Sequence, residues 1–114
     1  MSNSILTTVK KAVGGIIEED ESFDTDIIMH INTVLSQLTQ LGVGPEDGFQ
    51  IEDKTATWTD FYNDEKLLNM IQSYVVLSVR QMFDPPSVGA VAEAYNTRIA
   101  ELGWRIREQA EYMR

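Results

Sequence analysis

The stretch from Asp64 to Pro86, DEKLLNMIQSYVVLSVRQMFDPP, constrains the fold more than any other. It opens polar, continues as a helical pattern apolar on almost every side, and stops at Asp84-Pro85-Pro86. A helix that is apolar all round must be enclosed by other elements. Two prolines in succession forbid its continuation and force a structural corner. Within 64–83, Leu68, Ile71, Val75, Val79 and Met82 mark one stripe, and Leu67, Tyr74, Val76, Leu77 and Phe83 fill most of the rest.

The flanking patterns supply the enclosure. Ile5, Leu6, Val9 and Val13 lie at helical spacing before Gly14-Gly15, which reads as a helix stop. A second helix is expected over about 25–41, with Asp24 as N-cap and Asp26 in the first turn. Its stripe is Ile27, Ile31, Val34, Leu38 and Leu41, and Gly42 and Gly44-Pro45 close it. A last helix is expected after the proline corner with Ser87 as N-cap, its face carried by Val88, Val91, Tyr95, Ile99, Leu102, Ile106 and Met113. Gly103 is a weak point in it. Between helices two and three, 43–58 reads as a long loop or as a small hairpin pairing Phe49-Gln50-Ile51 with Thr55–Trp58. The expected fold is all-α: one domain, 1–114, a small bundle of about four helices around a central buried helix at about 64–83.

Charge and missing residue types narrow the function. Residues 1–64 hold twelve acids and three bases, a balance of −9, whereas 65–114 are neutral. Such a face repels nucleic-acid backbone and suits a basic partner. With no cysteine, disulfides, thiolate catalysis and zinc–thiolate sites are excluded. No leader pattern is read at the N-terminus, and no run approaches the roughly 20 apolar residues of a membrane span. The expectation is a soluble intracellular protein with no membrane contact.

No constellation with catalytic spacing is present. His30, the only histidine, has Asp26 and Val34 at i±4 and reads as structural. The acidic run around Glu18, Glu19, Asp20 and Glu21 fails as a calcium loop: counted from Asp20, position 6 is Thr25 and position 12 is Ile31. Gly42-Val43-Gly44 follows a helix rather than a strand and lacks the third glycine of a dinucleotide motif. The chain therefore reads as no enzyme, with no cofactor and no metal. The acidic run is either a solvated loop or a negative surface. Trp58, Phe61 and Tyr62 either cap the core or anchor an interface. Trp104 and Tyr112 lie off the last helix's stripe, among Arg98, Arg105, Arg107 and several glutamates, with Glu101–Arg105 a favourable i,i+4 pair, and so mark a second surface.

The order FDTDIIMHINTVLSQLTQLGVGPEDGF, WTDF, YVVLSVRQMFDPP and LGWRI resembles the small head–tail connector (adaptor) proteins of tailed bacteriophages and prophages. The resemblance covers roughly residues 4–112 and is carried by Leu41-Gly42-Val43-Gly44-Pro45 and Phe83-Asp84-Pro85-Pro86. It implies a structural virion protein made in the bacterial host cytoplasm. It also implies a homo-oligomeric ring beneath the portal, following its twelve-fold symmetry. Such a ring extends the DNA channel, lets DNA pass without specific binding, and offers a platform to the head-completion (stopper) protein and tail. By that resemblance Trp104, Arg105, Arg107 and Tyr112 are candidate portal contacts. Phe49, Trp58, Phe61 and Tyr62 are candidate subunit or stopper contacts. Glu18, Glu19, Asp20 and Glu21 are the candidate channel surface, and Asp84, Pro85 and Pro86 the structural corner. The competing expectation is a small acidic regulatory module, antitoxin-like or a DNA mimic, that occupies a basic protein.

Overall fold

The first helix forms where its sequence offers a cap. Ser4 accepts a hydrogen bond from the Thr7 N–H at 3.2 Å and starts α1 (Ile5–Ala12). Ile5, Leu6, Val9 and the following Val13 are all buried, as their spacing requires. The structure is a computed structural model that describes residues 4–13, 19–83 and 87–112.

Helix α2 (Asp24–Gln40) starts one residue earlier than expected. Phe23 holds the cap position without a side-chain bond, so Asp24 is the first helical residue rather than the cap. Asp24 and Asp26 then face the positive end of the helix dipole. The far end is a glycine stop. Gly42 has φ 92, its N–H donates to the Thr39 carbonyl, and the Val43 N–H donates to the Leu38 carbonyl, both at 3.0 Å. This pairing satisfies the orphan carbonyls of the last turn, and the buried Val43 and Leu38 accompany it.

The segment from 43 to 57 is a loop, and the hairpin reading is corrected. Among the described residues the sole β-type pairing is an isolated bridge between Ser4 and Thr57. Thr57 instead starts a one-turn helix, α3 (Trp58–Phe61), through a capping box. Its hydroxyl accepts from the Asp60 N–H at 3.3 Å, and the Asp60 carboxylate accepts from the Thr57 N–H at 3.0 Å. Reciprocal capping satisfies two backbone donors locally, which two isolated strands of this length do not achieve.

Helix α4 (Glu65–Phe83) opens at Asp64, whose carboxylate accepts from the Lys66 N–H at 2.9 Å. It is the central element and packs against α1, α2 and the last helix, α5 (Gly89–Tyr112). Leu67, Leu68, Ile71, Tyr74, Val75 and Val79 are buried, and each large apolar side chain so enclosed contributes roughly 1.5–3 kcal/mol. The start of α2 lies at the end of α4, where the Phe23 and Phe83 rings meet edge-on at 5.6 Å. Helix α5 runs back antiparallel along α4. Gln81 donates to Asn96 at 2.6 Å near one end of this seam, and Gly103 lies on Tyr74 further along.

Two expectations for α5 change. The first turn is capped by the Val88 carbonyl, which accepts from the Val91 and Ala92 N–H groups, so Ser87 is not the cap. Among the described residues the expected apolar face is buried only at Leu102 and Ile106, joined by Ala110, whereas Val88 and Val91 are exposed; Met113 lies outside the described residues. The physical reason is register: α4 ends at Phe83, and with Gln81 opposite Asn96 the first turns of α5 extend past the end of α4. The corner residues Asp84, Pro85 and Pro86, and the expected stop at Gly14-Gly15, lie outside the described residues.

Candidate interaction surfaces

The outer face of α5 carries Trp104. Its core face is set by Leu102 and Ile106, so Trp104 projects outward and is 63 % exposed. Beside it, Met70 of α4 with Arg105, Glu108 and Gln109 lines an open cavity of about 290 Å³. A smaller one of about 110 Å³, lined by Lys66, Leu67, Met70 and Gln109, continues the groove along the α4–α5 seam. Arg105 pairs with Glu101 at 2.9 Å and Arg107 with Glu111 at 3.7 Å, all on the exposed side. These pairs contribute little to stability individually. They present an apolar anchor inside a rim of both charges. Tyr112 ends α5, and its side chain lies outside the described residues.

The second candidate cluster divides. Trp58 and Phe61 are 1 % and 2 % exposed and belong to the core. The Trp58 indole N–H donates to the Thr8 hydroxyl at 3.1 Å, which ties α3 to α1. Burial this complete corrects the reading of these two as contact residues: neither reaches a partner without unfolding. Phe49 and Tyr62 remain half-buried at the surface, with Phe49 edge-on to Phe61 at 5.5 Å. Behind Phe49 the loop is fixed by Asn32, which donates to the Ile51 carbonyl at 3.1 Å and accepts from the Ile51 N–H at 2.8 Å.

The acidic segment is anchored rather than loose. Glu19 and Glu21 are exposed, and Glu18 lies outside the described residues. The Asp20 carboxylate accepts from the Ser22 N–H at 2.9 Å, a bond that holds its pKa below the ordinary value. The Asp20 carbonyl accepts from the Lys10 ammonium at 2.8 Å, and the same ammonium pairs with Asp24 at 2.8 Å. The Lys10 side chain is 4 % exposed. Sequence reasoning missed this anchor, although a signal was present: Lys10 lies four residues after Leu6 and three before Val13, on the core face of α1.

His30 lies against the Phe83 ring at 6.4 Å. Among the described residues no group of three His, Asp or Glu side chains is placed to hold a metal ion, and no helix is long and apolar enough to cross a membrane. No curated protein and no solved structure matches the chain significantly. One family does, over residues 5–113, from the first residue of α1 to just beyond the last of α5. Matched over nearly its whole length, this all-helical chain belongs to the phage connector protein family.

Proposed function

We propose that this chain is the repeating subunit of a ring at the junction of phage head and tail. In this reading the ring sits beneath the portal, continues its DNA channel, and receives the stopper protein and tail as a component of the virion. The family match over residues 5–113 carries the proposal. A ring needs unlike faces that bind each other by rotation, and an uneven charge distribution along the chain supports such a difference. One half is strongly acidic and the other neutral, and Trp104 stands on the neutral half.

The residues take roles by their chemistry. Trp104 with Arg105 and Arg107 is the portal contact, an exposed aromatic ringed by charges that steer and orient. Tyr112 is assigned to the same contact by its place at the end of α5. Phe49 and Tyr62 contact the stopper or a neighbouring subunit, on a loop that is already fixed before assembly. Glu19, Asp20 and Glu21, with Glu18 by sequence, face the channel, where carboxylates repel the phosphates of passing DNA.

The experiment is a titration of the purified chain with its cognate portal, with complex mass read by light scattering after size exclusion. The proposal expects a discrete complex with several copies of the chain per portal ring. A chain that stays monomeric with portal, yet forms a tight complex with a basic protein, overturns it in favour of an acidic regulatory module.

A further inference from the structure

Helix α5 is built in two unlike halves. The second is docked: Leu102, Ile106 and Ala110 are buried, and a Cβ on Gly103 would lie 3.1 Å from the Tyr74 ring. The first is not. From Gly89 to Glu101 no side chain is buried, and Ala92, Tyr95 and Ile99 are half-buried at helical spacing. Two polar contacts tie this half to α4. Gln81 donates to Asn96 at 2.6 Å, and the Arg80 guanidinium lies over the Tyr95 ring at 5.6 Å.

The α4 surface at this seam is polar as well. Tyr74 meets Gly103 and Gln81 meets Asn96, so Ser78, about one turn from each, faces α5 too. Ser78 is 8 % exposed, and its hydroxyl has no hydrogen-bond partner among the described residues. The same holds for Arg80 Nε and Gln81 Oε1. Buried polar atoms without partners favour a state in which water reaches them. Closing the first half of α5 over α4 therefore encloses little apolar surface and leaves polar atoms unsatisfied.

We propose that residues 89–98 form an arm that opens from α4 as a unit while the second half of α5, from Leu102 onward, stays docked. The Gln81–Asn96 bond and the Arg80–Tyr95 contact are its latch. The arm loses its helix when it opens, because a segment of about ten residues without a packed apolar face is marginal as a helix in water. A part with few buried contacts opens at a free energy well below that of global unfolding. Opening uncovers Ser78, Arg80 and Gln81, hydrogen-bonding groups that the closed subunit hides, so the latch controls when that strip of α4 is presented. The device belongs to the single subunit and does not depend on the ring reading.

The chain has no cysteine, so Ser78→Cys places a single thiol reporter under the arm. Far-ultraviolet circular dichroism first establishes that the full-length variant is folded. Its labelling by a thiol reagent is then compared with global unfolding of the same variant in urea. The expected result is labelling at least roughly tenfold faster than global unfolding allows, with a weak dependence on urea, because a local opening exposes little surface. Adding Asn96→Ala, which removes part of the latch, should raise the labelling rate roughly two- to tenfold, the range of one side-chain hydrogen bond. Amide exchange of the unsubstituted chain reads the same event: 93–98 should exchange at least roughly tenfold faster than 103–110. Labelling that follows global unfolding, in rate and in urea dependence, overturns the proposal. Equal exchange along both halves of α5 overturns it too, because the helix then opens as one piece or not at all. A labelling rate unchanged by Asn96→Ala removes the latch from the device.

Discussion

Asn32 grips the backbone of Ile51 from both sides, donating to its carbonyl at 3.1 Å and accepting from its N–H at 2.8 Å. The amide stands in for a neighbouring β-strand and fixes a loop that has none. Asn32→Ala leaves both backbone groups of Ile51 without these partners. Each unpaired buried group costs about 1–3 kcal/mol, reduced here because the site is only part-buried. The expected loss is about 2 kcal/mol in urea unfolding. Amide exchange should accelerate across 49–51 more than in α4. Equal acceleration everywhere would mean that Asn32 supports the whole fold and not this loop.

Gly44 and Gly48 share φ near +90 yet differ in surroundings. A Cβ on Gly44 would lie 2.5 Å from the Phe61 ring, while one on Gly48 would meet nothing within 4 Å. Gly48→Ala therefore costs only backbone strain, about 1 kcal/mol. Gly44→Ala adds displacement of a buried ring, for about 3 kcal/mol in total. Thermal melts of the two variants should differ clearly, and equal melting temperatures would show that Phe61 moves aside freely.

The helical part of this fold was legible because burial imposes period. The stripes of α1 and α2 and the enclosure of α4 follow from apolar spacing alone. Trp104 was legible as off-stripe because Leu102 and Ile106 fix the angle of the helix. The loop was not. Thr55 to Trp58 alternates like a strand, and the hairpin reading gave that alternation more weight than the Thr57–Asp60 capping spacing that decides the structure. Trp58 and Phe61 show the limit from another side: aromatics in a polar segment do not reveal whether they point in or out. Burial of Phe61 depends on contacts far along the chain, among them Gly44. The exposed start of α5 was hidden for a similar reason. Its stripe is continuous in sequence, and only the end of α4 decides where packing stops.

Lys10 is the buried charge on which the acidic segment depends. Its ammonium joins α1 to the Asp20 carbonyl and the Asp24 carboxylate, both at 2.8 Å. Lys10→Met keeps the length of the chain and removes the charge, leaving Asp24 without this cation. Breaking a buried pair from one side costs about 3–5 kcal/mol, and the partial exposure of Asp24 lowers that to about 2–3 kcal/mol. Proteolysis at 19–23 should rise in Lys10→Met while the α4–α5 seam stays protected. Adding Asp24→Asn should recover part of the lost stability, because the orphaned charge is then gone. No recovery would show that the carbonyl contact, not the ion pair, is what matters.

Stability should fall at both extremes of pH, by opposite routes. The Ser22 backbone N–H, then its side chain, and more weakly Lys10, hold the Asp20 carboxyl below its ordinary 3.8. The Thr55 hydroxyl and N–H do the same for Asp53. A depressed carboxyl stabilises the fold above its unfolded value, and the gain is lost as pH falls through the lower folded value. Burial raises Tyr74, and burial with the nearby Asp64 raises Tyr62, above 10.0. A raised phenol stabilises below its unfolded value, and that gain is lost as pH climbs past the folded one. Urea midpoints measured against pH should therefore drop below about pH 4 and above about pH 10. Asp20→Asn with Asp53→Asn should flatten the acid limb alone, and Tyr74→Phe the alkaline limb alone. An acid limb unchanged in the double variant would place its origin in other carboxylates.

Gly103 of α5 lies directly against the Tyr74 ring of α4. A Cβ there would lie 3.1 Å from the Tyr74 ring, tighter than ordinary contact, so the ring must give by a few tenths of an ångström. Gly103→Ala sets two effects of similar size against each other. Alanine gains about 1 kcal/mol of helix propensity at an interior position. Pressing on a ring that is 9 % exposed takes back a comparable amount. The expected net change is within about 0.5 kcal/mol of zero. Gly103→Val has no such balance: it keeps less of the propensity gain and adds methyls directed at the ring, for a loss of about 2 kcal/mol. Measuring both separates the terms. A full 1 kcal/mol gain in Gly103→Ala would mean that the Tyr74 ring yields without cost, and the glycine would then be dispensable to the seam.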